Sequence, residues 1–211
     1  MEYQKSKITN RQIDMQIIES KCQFNSLGTM LPYSYVIETV NLNWHDILFA
    51  INNGFLDSQT AIEHAIDELE HDNNPKAVLD LACLSLDEAI HQEIINPYIY
   101  ELADLTPEHD KNQSKSKIMY VLLKWIFSQR ETYDDPLRVV EIIYDDFGFP
   151  KEMVDFVRYL PTSQYDLGSY ELNYERLLNN WGKFLERQKM IFTKSGNTGN
   201  EKNTKNAVNG S

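Results

Sequence analysis

The sequence predicts an all-α protein: a multi-helix bundle or a short solenoid-like stack of antiparallel helices, with room for a minor β element near the amino terminus. Three observations carry this expectation. Only five of the eight Gly fall before residue 193, so few positions there interrupt a helix. All seven Pro lie in the same stretch, and most sit where helical periodicity begins; a missing N–H costs least at that place. Apolar residues recur at three- and four-residue spacing, whereas strict alternation is scarce. With 211 residues in all, residues 1–192 read as a single helical domain.

Taken in order, residues 11–20 form a helix or part of a short strand–helix start. Residues 33–40 are rich in β-branched and aromatic side chains and permit a strand or a short helix. Asn43 caps a helix from Trp44 to about Asn53, and Gly54 closes it. Asp57 or Ser58 then starts a helix to about Glu70, with Ala61, Ile62, Ala65, Ile66 and Leu69 on one apolar face. Residues 75–85 and 86–94 make one helix or two. Helices over 97–104, 115–130, 136–147 and 150–159 follow. The last runs over 169–192, with Leu177, Trp181, Phe184, Leu185 and Ile191 as its stripe. Asn74-Pro75, Asn96-Pro97 and Asp135-Pro136 each carry a helix-start signature: a capping side chain followed by a proline at the first helical position. Short links between helices favour antiparallel neighbours.

Residues 193–211 differ. They hold three Gly, and Val208 is their only large aliphatic residue. Such a segment buries too little apolar surface to offset its ordering entropy, so it reads as a disordered polar tail. Met1–Lys7 is polar and no apolar stretch follows it, so no signal peptide is expected. The longest apolar run, Ile118–Leu123, is too short to span a bilayer. Two well-separated Cys and the lack of a leader predict a cytoplasmic protein.

The net charge is -12, from 20 Lys+Arg against 32 Asp+Glu. Direct nucleic-acid binding and binding to an anionic membrane both need basic surface, so both are excluded as general functions. No Gly-rich phosphate loop or nucleophile elbow occurs. Cys22 and Cys83 read as buried small hydrophobes. Two Glu-x-x-His units, Glu68–His71 and Glu88–His91, place carboxylate and imidazole on one helix face, the unit that helical di-iron proteins use. Here the units are twenty residues apart, His71 falls at a helix end and no further inward Glu partners appear. Helix-end residues complementing the macrodipole are the preferred reading. Asp46, after His45, reads as ordinary first-turn complementarity. No catalytic residue, cofactor or metal is assigned.

Acidic residues give the one interaction surface the sequence suggests. Arg138, Glu141 and Asp145 share one side of the 136–147 helix, and further carboxylates flank it. Glu63, Asp67 and Glu70 make a second stripe. Tyrosines beside carboxylates are the composition of a protein-binding patch. The candidate partner-binding residues are Asp134, Glu141, Tyr144, Asp145, Asp146, Glu152, Asp155 and Tyr159. The opposing view is a solvated face that keeps the protein soluble.

Leu42-Asn-Trp44, Asn53-Gly-Phe-Leu56, Lys124-Trp-Ile-Phe127, the stretch Tyr133–Pro150 and Phe156–Pro161 together resemble the bacterial domain of unknown function 2247. The resemblance covers about residues 40–190. Its most specific part is the pattern Asp-Pro, Tyr-x-Asp-Phe-x-x-Pro and Arg-Tyr-x-Pro. Small acidic families of this kind are similar to immunity proteins of bacterial toxin systems. The resemblance therefore implies a cytosolic protein that binds and neutralises a cognate toxin domain, for instance a basic nuclease. It supplies no catalytic residues. A helical adaptor with another partner, or a helical metalloenzyme built on His71 and His91, are the alternatives. The same motif has a structural reading: Asp135-Pro136 starts a helix, Phe147–Pro150 ends it, and Arg158 pairs with Asp145 or Asp146.

Overall fold

Ile118-Met-Tyr-Val-Leu-Leu123 is the most apolar run of the chain, and it lies at the centre of the fold. The computed structural model describes residues 24–70, 74–107, 111–161 and 165–194. All six residues of the run are buried, as is Ile126. A helix apolar on every side has to be enclosed by others. This helix is accordingly covered by three.

The helices are α1 (Tyr33–Thr39), α2 (Trp44–Asn52), α3 (Thr60–Glu68), α4 (Lys76–Ala82), α5 (Leu86–Ala89), α6 (Gln92–Leu105), α7 (Lys111–Ser128), α8 (Pro136–Asp146) and α9 (Tyr170–Lys194). Short 3₁₀ turns occupy Arg130–Thr132 and Lys151–Phe156. No strand occurs among the described residues. The protein is all-α, and residues 33–39, open to either state from sequence, are helical. Helices α2, α8 and α9 pack on α7. Helix α2 also packs on α6, α6 on α4 and α5, and α4 on α3. At the far end α9 closes over the Lys151–Phe156 turn through Trp181 and Phe184, both fully buried. Trp181 meets Phe127 edge-on at 4.9 Å and stacks parallel to Phe156 at 6.3 Å. Each side chain of this size adds roughly 1.5–3 kcal/mol by leaving water.

Several local expectations change. Asn96-Pro97 does not open a helix; Pro97 lies inside α6. Ile95, Ile99, Leu102 and Ala103 are buried along that helix, and their burial outweighs the missing hydrogen bond near its start. Asn74 does not cap α4 either. Its side-chain amide donates to the Glu68 carbonyl at 2.8 Å, which satisfies the end of α3 instead. Ser58 is no cap: α3 begins after Gln59 with no side-chain cap bond, and the Ser58 hydroxyl donates to the Ala89 carbonyl at 2.6 Å. Ile66 and Leu69 are exposed, and His64 takes a buried place on the α3 face. On α9 Phe192 is buried and Ile191 exposed, so the stripe ends one residue later. Cys83 is exposed, not buried. Residues 11–20, Cys22, His71 and residues 195–211 lie outside the described residues; Thr193 and Lys194 still belong to α9.

Asp46 is more than first-turn complementarity. It forms a reciprocal capping box with Asn43: Asp46 N–H donates to Asn43 Oδ1, and Asn43 N–H to Asp46 Oδ2, each at 3.0 Å. The carboxylate is fully buried and pairs with the Lys117 ammonium of α7. Ser114 donates to its other oxygen at 2.6 Å. Lys117 also donates to the Asn41 carbonyl at 2.9 Å. One acidic side chain thus caps α2 and fastens it to α7.

Candidate functional site

Helix α8 starts as its sequence requires. The Asp135 carboxylate accepts from Arg138 N–H at 3.1 Å and Pro136 takes the first helical position. Its charged side then turns inward. Glu141 is buried, and Arg158 reaches it from the segment after the 3₁₀ turn. Arg158 Nε donates to Oε1 at 2.9 Å, and Nη2 to Oε2 at 3.1 Å. Nη1 donates to Asp135 Oδ2 at 2.8 Å. The hydrogen bonds to Glu141 hold the guanidinium above its ordinary range. Arg158 does pin two segments together, but through Glu141 and Asp135, not Asp145 or Asp146. Glu141 and Asp145 share one side of α8 but lie a turn apart: Arg158 sits over the first half of the helix, between Asp135 and Glu141, and one turn on Asp145 is exposed and accepts from Tyr159 instead.

The end of α8 presents aromatic groups. Gly148 adopts a left-handed conformation (φ 70) and Phe149 follows it (φ 61). Phe149 N–H donates to the Tyr144 carbonyl at 2.9 Å, the long closing bond of a Schellman cap. The ring contact of Phe149 with Tyr144, 5.4 Å between centroids, belongs to the same cap. Tyr144 in turn meets Tyr159 at 6.2 Å, and Tyr159 donates to Asp145 Oδ1 at 2.8 Å. Phe149 is 60% exposed and Tyr159 53%.

The eight expected partner-binding residues thus divide. Asp134, Asp145, Glu152, Asp155 and Tyr159 are exposed. Glu141 and Tyr144 are buried beneath them and serve the fold. Asp146 is half-buried and accepts from Ser26 N–H at 2.8 Å and Ser26 Oγ at 2.5 Å. Phe149 belongs with the exposed set and was not foreseen; its place between a helix-ending Gly and Pro150 was the available signal. From Tyr133 to Leu160 seven acidic residues stand against three basic ones, so the surface is anionic. It borders a cleft of about 380 Å³ whose lining includes Asp155, Arg158, Leu160, Tyr170 and Tyr174.

A second constellation lies between α1 and α3. Tyr33 hydroxyl donates to Asp67 Oδ2 at 2.9 Å and lies 2.9 Å from His64 Nδ1. Trp44 Nε1 donates to Glu68 Oε2 at 3.0 Å, and its ring stands edge-on to His64 at 4.9 Å. His64 Nε2 faces Glu68 Oε1 at 3.7 Å and has no hydrogen-bond partner. Burial lowers the His64 pKa to about 4, against the opposing pull of Asp67 and Asp46. Burial, then the bond to Asp67, raises that of Tyr33. A groove of about 400 Å³ opens over these groups. The sequence singled out Asp67 in an acidic stripe and Glu68 in a Glu-x-x-His unit without joining them; the histidine inside the apolar stripe Ala61, Ile62, Ala65 was the signal left unused.

The second Glu-x-x-His unit does not form. Glu88 closes a capping box with Ser85, and His91 precedes α6 at an exposed position beside Glu93. No group of three His, Cys, Asp or Glu side chains is arranged to hold a metal among the described residues. No helix among them is long and apolar enough to cross a membrane. Residues 33–189 match the family described as an uncharacterized protein conserved in bacteria, DUF2247. No curated protein and no solved structure matches the chain.

Proposed function

The chain belongs to the bacterial family DUF2247, and we propose that it acts as a cytoplasmic immunity protein that binds and neutralises a cognate toxin domain. The binding surface is the end of α8 with the segment that follows it: Phe149 and Tyr159 as aromatic anchors, Asp134, Asp145, Glu152 and Asp155 as the acidic surround. The observation that carries this reading is Phe149. An aromatic residue in the left-handed region is strained, by about 1–3 kcal/mol, and this one is also exposed. The Schellman cap accounts for the glycine and for an apolar contact of Phe149 with Tyr144, but that contact leaves Phe149 60% exposed. Strain together with solvent exposure at one large side chain is what a contact residue shows.

Its neighbours suit a basic partner. Anionic charge steers a cationic surface and accelerates encounter, while aromatic anchors set the dissociation rate. A basic nuclease domain fits this chemistry, because carboxylates can occupy the positions that nucleic-acid phosphates would take. The adjacent cleft could receive one side chain of the partner.

The test is calorimetric titration of the purified chain with the toxin domain encoded beside its gene. Submicromolar binding, weakened about tenfold or more by Phe149→Ala or Tyr159→Ala, supports the reading. Affinity weaker than micromolar, or tight binding indifferent to both substitutions, would overturn it.

A further inference from the structure

We infer that the cleft between residues 154–160 and α9 binds a free α-amino acid with an aromatic side chain. Two arginines, Arg158 and Arg176, line it. A guanidinium offers five N–H donors in a planar fork, and its Nε–Nη2 edge matches a carboxylate side-on. On Arg158 that edge is closed by Glu141, and Nη1 is taken by Asp135. On Arg176 Nη1 donates to the Tyr165 carbonyl, which anchors the fork, but the Nε–Nη2 edge is open. Its Nε is buried without a hydrogen-bond partner, and Nη2 has none among the described residues. A buried donor left unmet is costly. A carboxylate that takes Nη2 meets Nε with its second oxygen, the arrangement Glu141 already makes on Arg158. Asp166 does not fill this place. It accepts from Gly168 N–H at 2.9 Å and from Asn173 Nδ2 at 2.6 Å, and it forms no ion pair with Arg176 among the described residues.

The other walls define what carries the carboxylate. Asp155 lines the same cleft, is exposed, and its side chain makes no hydrogen bond or ion pair among the described residues. Its carbonyl accepts from Asn180 at 2.8 Å, one turn along α9 from Arg176. An unpaired carboxylate and an open guanidinium therefore flank one stretch of helix. A simple acid is repelled by Asp155 and a simple amine by Arg176; a zwitterion satisfies both. Tyr170 and Tyr174 stand side by side on α9, 6.1 Å between centroids and 28° from parallel, and Tyr170 is 69% exposed. Val154, Leu160 and Leu177 continue the apolar wall. Aromatic faces of this kind stack on a further ring, so the amino acid should carry one. The volume, about 380 Å³, lies within the range of small-molecule sites.

The experiment is calorimetric titration of the full chain with phenylalanine and, separately, with phenylpropanoate, phenethylamine and glycine, which lack the ammonium, the carboxylate and the ring in turn. Saturable binding of phenylalanine is expected, about tenfold or more tighter than that of each control. Arg176→Gln should weaken it about tenfold. Arg176→Lys should not restore it, because an ammonium cannot present two parallel donors. Val154→Trp fills the cleft from the opposite wall, should also weaken binding, and leaves both charges in place. Asp145→Asn, on the α8 surface, should leave affinity unchanged. No saturable heat at millimolar phenylalanine, equal affinity for any of the three controls, or affinity unaltered by both Arg176→Gln and Val154→Trp would overturn the inference. Phenylalanine binding needs no toxin, so this titration and that of the α8 surface fail independently.

Discussion

Arg158 lays its guanidinium against the buried carboxylate of Glu141 in a two-point contact, Nε to Oε1 at 2.9 Å and Nη2 to Oε2 at 3.1 Å. Paired donors in a fixed fork match a carboxylate better than a single contact. The pair joins α8 to the loop after the 3₁₀ turn. Removing one partner of a buried pair costs about 3–5 kcal/mol. Arg158 is 28% exposed and keeps Asp135, so a smaller loss is expected. Glu141→Gln should lower stability by about 2 kcal/mol, read from the urea midpoint at neutral pH. A Glu141→Gln, Arg158→Met double variant should lose less than the sum of the single losses. Simple additivity would show that the pair does not couple these segments.

Lys117 and Asp46 make the stronger case, because both side chains are buried, at 9% and 0% exposure. Lys117→Met removes the ammonium that pairs with the buried Asp46 carboxylate. Stability should fall by about 3–5 kcal/mol. Replacing Asp46 by Asn in that background should restore part of it, since a neutral amide of similar shape needs no counter-charge. If the double variant is the less stable of the two, the desolvation argument is wrong at this position.

The parts of this fold legible in the sequence are those whose partners lie within a turn or two. Asp135-Pro136 and Asn43 act on backbone groups three residues away, so their roles follow from composition and spacing. Asn74 and Pro97 carry the same local signature and are used differently. Asn74 reaches back six residues to a different helix end, and Pro97 is overruled by the burial of Ile95 and Ile99. The candidate sites divide in the same way. Asp145 with Tyr159, fourteen residues apart, sits within one recognisable motif. Tyr33 with His64, and Asp46 with Lys117, are separated by 31 and 71 residues. Only the packing of α1 on α3 and of α2 on α7 brings them together. Glu141 shows the limit of helical phase: it lies on the charged side of α8, yet the loop bearing Arg158 covers that side.

Phe149→Asn separates fold from recognition. Asn tolerates the left-handed conformation better than an aromatic residue does, which relieves strain of about 1–3 kcal/mol. The lost ring contact with Tyr144 acts in the opposite direction, by about 0.5–1.5 kcal/mol. Net stability should change by less than about 1 kcal/mol, while affinity for a toxin partner should drop about tenfold. Thermal or urea unfolding and a binding titration on the same samples give both values. A large stability loss would make Phe149 a structural residue and remove the main support for the α8 surface.

His64 makes stability depend on pH in a defined window. Its folded pKa is about 4, against about 6.5 for an unfolded histidine. Between these values the unfolded chain holds a proton that the folded protein does not, so stability rises with pH there. Read the other way, acidification from pH 6.5 toward 4 favours unfolding, by about 3 kcal/mol in total from this group. Carboxylates add their own acid dependence, and Asp67 and Asp46 already oppose the shift, so the comparison has to be with a variant. His64→Gln should show a flatter profile of urea midpoint against pH across that window, whatever its offset at neutral pH. Nitrogen chemical shifts of the imidazole supply a second readout on the unaltered protein. At pH 7 they should report a protonated Nδ1 and a bare Nε2. A bare Nδ1 would mean that Tyr33 gives its proton to the histidine and not to Asp67. A wild-type profile as flat as the variant's would show that His64 titrates as it does in the unfolded chain, which its burial between Tyr33 and Trp44 forbids.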